Sequence, residues 1–142
     1  MKDLSMVASG GELSRIMLAL KTIFADKDQT ATLVFDEIDA GISGKTAWKV
    51  SEKLAVLRNR HQVICITHLP QIAAMADKHF CIEKAVSNER TNTSVKALKD
   101  AESIAEIGRL LGTDQLTDAV LQNAKEMKDL AEQTKQSQSK NK

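Results

Sequence analysis

The chain sets its first pattern with apolar residues at Leu13, Ile16, Met17, Leu20, Ile23 and Phe24, the i, i+3, i+4, i+7 spacing of one helix face. Ser9 followed three residues later by Glu12 is a capping box, which starts that helix at Ser9 and lets it run to about Ala25. Residues 1–8 read as entry into this helix rather than as the start of a domain, and Asp26-Lys27-Asp28-Gln29 as a polar turn. Ala31-Thr32-Leu33-Val34-Phe35 and Gln62-Val63-Ile64-Cys65-Ile66-Thr67 are short apolar runs, each predicting a strand buried on both faces of a parallel sheet. Between them a helix over about 45–58 turns Ala47, Val50, Leu54 and Leu57 inward, and Pro70 suits the first turn of a short helix to about Met75.

Phe80-Cys81-Ile82-Glu83-Lys84 and Thr93-Ser94-Val95-Lys96-Ala97-Leu98 read as an antiparallel pair of strands. Asp100 caps a helix with Ile104, Ile107, Leu110 and Leu111 inward, stopped by Gly112. A last helix spans about Asp114 to Glu132 with the stripe Leu116, Val120, Ala124, Met127 and Ala131. From Thr134 on, Lys, Gln, Ser and Asn dominate, so the expected division is a folded unit over 1–133 and a disordered polar tail over 134–142. Strand–helix–strand–helix alternation argues for a parallel α/β unit, whose ligands bind at the C-terminal edge of the strands. Asp36, Glu37 and His68 stand at that edge.

Composition changes this picture little. At 142 residues the chain can bury about two-thirds of its surface. It is 42% hydrophobic and 27% charged, with a net charge of +1 and the signs interspersed, so it carries no basic footprint for nucleic acid. No apolar run is long enough for a membrane span and no leader pattern is seen. Cys65 and Cys81 sit in strand-like runs without CxxC spacing, the pattern of buried reduced thiols in a cytoplasmic protein. His61, His68 and His79 are too scattered for a metal site.

The chemistry concentrates in two places. Gly10 and Gly11 open the first helix, where each costs roughly 0.5–1 kcal/mol against Ala. Either they let an anion approach the free N–H groups of the helix start, or they merely ease a tight entry into a core helix. The adjacent acids Asp36 and Glu37 at a strand end also need a reason. A hard cation such as Mg²⁺ takes one or two carboxylates plus phosphate and water, which makes Asp36 the metal-side acid. Glu37, pointing elsewhere, can orient or deprotonate a water, and His68 can meet a terminal phosphate. The bland alternatives are an exposed capping turn for the acids and a loop hydrogen bond for His68. Gly44-Lys45-Thr46 imitates the end of a phosphate-binding loop, but the position of its first glycine holds Asp39. Ser43 or Thr46 as a helix cap is the better account.

With these residues in place, the chain resembles the C-terminal half of an ABC-type ATPase head, and within that superfamily the RecN-type DNA repair and recombination family, relatives of the structural-maintenance-of-chromosomes proteins. Val7-Ala8-Ser9-Gly10-Gly11-Glu12-Leu13-Ser14-Arg15 is similar to the signature motif, and Thr32-Leu33-Val34-Phe35-Asp36-Glu37 to the Walker B strand. Ile38-Asp39-Ala40-Gly41-Ile42-Ser43-Gly44 resembles the D-loop region and Ile66-Thr67-His68-Leu69-Pro70-Gln71 the switch histidine. Transporter ATPases usually carry Gln at the place of Glu12 and Pro at that of Ile38. The resemblance implies a P-loop NTPase-like α/β fold that lacks its Walker A strand, which belongs between the strands at 62–67 and 80–84, and that ends in C-terminal helices. It implies ATP and Mg²⁺ held between two heads of a homodimer. Ser9, Gly10, Gly11 and Glu12 would meet the partner's nucleotide, Asp36 would hold Mg²⁺ through water, and Glu37 would be the catalytic base. His68 would contact the γ-phosphate and Asp39 would align the heads. It further implies a bacterial, cytoplasmic, nucleoid-associated protein that reaches DNA through its full length, with no membrane contact. Walker A, Q-loop and coiled coil would lie upstream, so this segment alone is expected to be inactive. An ABC transporter subunit and a non-hydrolytic nucleotide-sensing dimerisation module are the alternatives.

Overall fold

A computed structural model describes residues 9–25, 27–87, 90–112 and 115–140. Val7, Ala8, the entry segment 1–8, Asp26, Asp114 and the last two residues, on which parts of the expected motif, turn and helix fall, lie outside the described residues. The element order is α1 (Gly10–Ile23), β1 (Thr32–Phe35), α2 (Gly44–Leu57), β2 (Gln62–Cys65), α3 (Pro70–Ala74), β3 (Phe80–Ser87), β4 (Arg90–Ala97), α4 (Asp100–Leu110) and α5 (Asp118–Lys140). β1 and β2 pair in parallel, Thr32 opposite Gln62 and Phe35 opposite Cys65, with α2 as the connection. β3 and β4 form a separate antiparallel hairpin, Phe80 opposite Ala97.

One cluster of buried side chains, Leu18, Leu33, Phe35, Ile38, Val50, Leu54, Leu57 and Ile72, joins α1, α2 and α3 to a single face of the parallel pair. A second, built on Ala55, Ala73, Ala74, Ile107, Ala124 and Ala131, docks α4 and α5 against α2 and α3. The inward set expected of α2 is buried throughout. Gly112, at φ +81°, follows α4 in the left-handed conformation that ends such helices.

Several expectations are corrected. The parallel strands are not covered on both faces: Leu33 and Phe35 are buried, whereas Val34 is 63% exposed and Ile64 and Ile66 are open beside it. An apolar run records that both faces avoid water but not what covers them, and among the described residues one cover is missing. The α1 stripe is likewise open. Leu13, Ile16, Met17, Leu20, Ile23 and Phe24 are all exposed, while Leu18, off that stripe, is the α1 side chain that enters the core. Finally, the helix cap before α4 is Lys99 rather than Asp100, with the Glu102 carboxylate accepting from the Lys99 N–H at 2.9 Å.

The polar stretch from Thr134, expected to be disordered, continues α5 to Lys140. Its composition hides tertiary partners. Lys135 is buried with its ammonium 2.9 Å from Asp77, which also pairs with Arg58 of the segment after α2, and Glu132 lies one turn back on the same helix. Gln138 donates to the carbonyl of Glu52 on α2 at 3.3 Å. His79 and Lys128 both meet the buried Ser103 hydroxyl, tying the hairpin, α4 and α5 at one point. Burial holds His79 below the ordinary histidine value, against the pull of Glu106, with Lys128 adding to the depression.

Because Asp77 remains half-exposed, breaking its pair with Lys135 costs less than breaking a fully buried one, about 1–2 kcal/mol. Lys135→Ala is therefore expected to speed amide hydrogen exchange over the last turns of α5 by about tenfold while leaving β1 and β2 unchanged. Unchanged exchange in α5 would show that the ion pair does not hold the helix end.

Candidate functional site

The site is built on the C-terminal ends of β1 and β2 and the tip of α1. Ser9 takes the N-cap position: its hydroxyl accepts the Glu12 N–H at 3.3 Å, and the Glu12 carboxylate accepts from the Ser9 N–H at 2.8 Å. Those hydrogen bonds to Ser9, backbone first, hold the Glu12 carboxyl below its ordinary value against a small opposing effect of burial. The expected capping box is present, and it commits Glu12 to its own helix.

After Phe35 the chain turns sharply. Asp36 and Glu37 are exposed, Ile38 is 0% exposed and Asp39 is 4% exposed, so the loop alternates outward acids with an apolar anchor and an inward acid. Glu37 sits at φ +55°, a left-handed conformation uncommon for a residue with a side chain. Its N–H donates to Asp36 Oδ1 at 2.9 Å. The loop is gripped from α1: Ser14 Oγ donates to the Asp36 carbonyl at 2.9 Å, and Arg15 Nη1 donates to the carbonyls of Ile38 at 3.1 Å and Ala40 at 2.9 Å.

This grip explains the glycines. A Cβ on Gly11 would stand 2.8 Å from the Glu37 carbonyl oxygen and 2.9 Å from Ala40 Cβ. A Cβ on Gly10 would stand 2.5 Å from a Glu37 carboxylate oxygen. The helix tip thus lies at the rim with Glu37 directly against it, and Gly11 is required by close approach of the chain's own loop. Of the two readings of the glycine pair, tight packing is satisfied within the chain, and the Glu37 carboxylate is the anion beside the helix start.

Asp39 turns away from solvent. Its Oδ2 accepts from Thr67 Oγ1 at 2.6 Å and from the His68 N–H at 2.8 Å, and lies 3.0 Å from His68 Nδ1. A carboxylate only accepts, so the His68 Nδ1 carries the proton in that contact and Nε2 is the nitrogen left for other partners. The His68 ring itself is largely exposed. Cys65, at the end of β2, has its thiol pushed up to about 12 by burial and then by the negative charges of Asp39 and Asp36, which makes it an unreactive packing group. Cys65 and Cys81 are both free thiols. The decoy at Gly44-Lys45-Thr46 opens α2 with Ser43 at its N-cap position, although the Ser43 hydroxyl makes no capping bond.

The structure therefore gathers Ser9, Gly10, Gly11, Asp36, Glu37, Asp39 and His68 around one rim. Ser14, Arg15 and Thr67, to which the sequence reading assigned no role, hold the rest in place. The signal for Ser14 and Arg15 was their position off the apolar stripe of α1, next to the capped turn. Among the described residues no group of three or more potential ligands clusters tightly enough to bind a metal ion unaided, and no helix is long and apolar enough to cross a membrane.

These features define a class: a mixed α/β segment in which strand-end acids, an aspartate-oriented histidine and a glycine-opened helix tip meet. No protein-family model matches the chain. It is 48% identical over 135 residues to a protein of Bacillus subtilis (strain 168) named DNA repair protein RecN, a match covering 95% of the chain and 23% of that relative. Proteins of the same name from Haemophilus influenzae (strain ATCC 51907 / DSM 11121 / KW20 / Rd) and Vibrio cholerae serotype O1 (strain ATCC 39315 / El Tor Inaba N16961) are 47% identical over 129 residues and 44% over 127. Those matches cover 91% and 89% of the chain and 23% of each relative. The chain is similar to one segment of these proteins and spans about a quarter of the length of the curated relatives it matches.

Gly11→Ala is predicted to destabilise the chain by about 1–3 kcal/mol, because backbone on the facing loop must move. Gly10→Ala meets only the movable end of the Glu37 side chain, and its gain in helix propensity offsets part of the cost. Denaturation midpoints of the two variants in the same background check the order; equal midpoints would remove the close-approach explanation.

Proposed function

We propose that this chain is the C-terminal part of an ATP-hydrolysing head in a RecN-type protein of DNA double-strand-break repair and recombination. ATP and Mg²⁺ are sandwiched between two heads of a homodimer. The observation that carries the reading is the meeting of Asp36, Glu37, the Asp39–His68 pair and the α1 tip on one accessible rim, in a segment with about half its residues identical to RecN relatives. Asp36 holds Mg²⁺ through water. Its carboxylate is exposed and Oδ1 faces the Glu37 N–H, and a cation that takes one or two carboxylates and completes its shell with phosphate and water suits such a sparse donor set. Glu37 orients or deprotonates the attacking water. His68, held by Asp39 at Nδ1, presents Nε2 to the terminal phosphate. Ser9, Gly10 and Gly11 serve the nucleotide bound by the other head.

The open faces support a head completed by further chain. Val34, Ile64 and Ile66 on the sheet and the apolar stripe of α1 are uncovered, and β2 and β3 belong to separate sheets, consistent with a strand missing between them. DNA contact belongs to the full-length protein, since a net charge of +1 gives this segment little electrostatic pull on a phosphate backbone. The transporter alternative is disfavoured by Glu12 and Ile38 and by the RecN name of the relatives. Ile38 is also fully buried and anchors the loop.

In the full-length protein, Glu37→Gln is expected to lower ATP turnover by about 10²–10⁴-fold while ATP-bound dimers accumulate. The isolated 142-residue chain is expected to hydrolyse no ATP. Unchanged turnover in the variant would remove Glu37 from the base role, absence of single-turnover hydrolysis by the full-length protein would favour the non-hydrolytic sensing module, and turnover by the isolated chain at the full-length rate would refute the incomplete-head reading.

A further inference from the structure

We infer that Ser14 and Arg15 make α1 a coupling element, gearing the helix tip that serves one nucleotide site to the acids that serve the other. The inference rests on the ATP-handling reading above and adds to it the route by which one site senses the other.

Both side chains lie about one turn below the tip, so a rigid helix that moves at Ser9 moves them too. Their acceptors are not side chains but three carbonyls of the loop after β1, those of Asp36, Ile38 and Ala40. A guanidinium is always charged, and both of these bonds come from one nitrogen, so the loop cannot shift relative to α1 without losing charge-assisted hydrogen bonds. Gly11 closes the contact from the helix side, and buried Ile38 closes it from the loop side. Between those anchors stand the outward Asp36 and the strained Glu37, whose side-chain directions are set by this backbone. Beyond them the inward Asp39 passes the same constraint to Thr67 and His68. The linkage is therefore continuous: helix tip, Ser14 and Arg15, the 36–40 loop, then His68. Ser14 and Arg15 touch no nucleotide in this scheme; they are positioning residues that act within their own head.

The direction of action separates this role from that of the helix tip, which acts on the partner's site. In the full-length protein, Arg15→Ala is expected to lower kcat by about tenfold or more while KM for ATP changes less than about twofold. The decisive test uses dimers with one marked head, compared with a dimer carrying Glu37→Gln on one head only. With Arg15→Ala and Glu37→Gln on the same head, the rate is expected to match that reference, because the impaired loop serves a site already disabled. With the two substitutions on opposite heads, the rate is expected to fall about tenfold or more below it. Ser14→Ala, which removes only one neutral hydrogen bond, should follow the same order with a smaller drop, and it carries the test if Arg15→Ala does not fold. The reverse order, or equal rates in the two arrangements, overturns the inference. An unmodified dimer without ATP turnover instead overturns the proposed function, so the two failures are distinct.

Discussion

The rim depends on the absence of a side chain where α1 starts, above all at Gly11. Gly10 and Gly11 let the helix start lie against the 36–40 loop closely enough that Ser14 and Arg15 reach its carbonyls. Each glycine weakens the helix by about 1 kcal/mol relative to Ala, so the helix is bought at a discount in stability that the loop contacts and the capping box offset. The same approach brings the Glu37 carboxylate to the positive end of the helix, where negative charge is favoured. Ile38 then fixes the loop from beneath, and Asp39 extends the arrangement to the end of β2. Three short segments, far apart in sequence, are held as one unit by hydrogen bonds, most of them involving backbone, rather than by a large apolar contact.

The rest of the molecule is a platform for that unit and is covered on one side only. The buried cluster under β1 is continuous with α2 and α3, and α4 and α5 extend it by a second cluster of small residues. Opposite it, Val34, Ile64 and Ile66 face outward, as do Phe80, Ile82 and Val95 on the hairpin and the stripe of α1. Apolar faces of this kind on several elements at once are surfaces that an isolated soluble domain mostly buries. The chain corresponds to about a quarter of its relatives, and on the proposed reading the remaining head covers these faces.

Much of this was legible in the residues. The capping box at Ser9 and Glu12, the inward face of α2, the hairpin and the break at Gly112 follow from local rules, and the structure repeats them. The rim itself could be located because parallel strands end where ligands bind, which placed Asp36, Glu37 and His68 together. What local rules do not encode is the identity of the covering partner: the apolar runs of β1 and β2 and the stripe of α1 look the same whether the cover is present or supplied from elsewhere. Nor do they orient adjacent acids. Sequence position gives Asp36, Glu37 and Asp39 different roles but not which of them turns inward: with a left-handed turn at Glu37, Asp36 and Glu37 stay exposed and Asp39 is buried. The polar end of α5 misled for a related reason, since Lys135 and Gln138 find partners on α2 and near α3 that composition does not reveal.

The central claim is that the α1 tip of one copy and the strand-end acids of another close on the same nucleotide. A structure of the full-length protein carrying Glu37→Gln with ATP and Mg²⁺ bound tests it directly. The account predicts a terminal phosphate within hydrogen-bonding distance, about 3 Å, of Ser9, Gly10 or Gly11 from the second copy, with Asp36 of the first copy beside the metal. A nucleotide enclosed within a single copy, with the α1 tip still packed on the side chain at position 37 and remote from any phosphate, would contradict it.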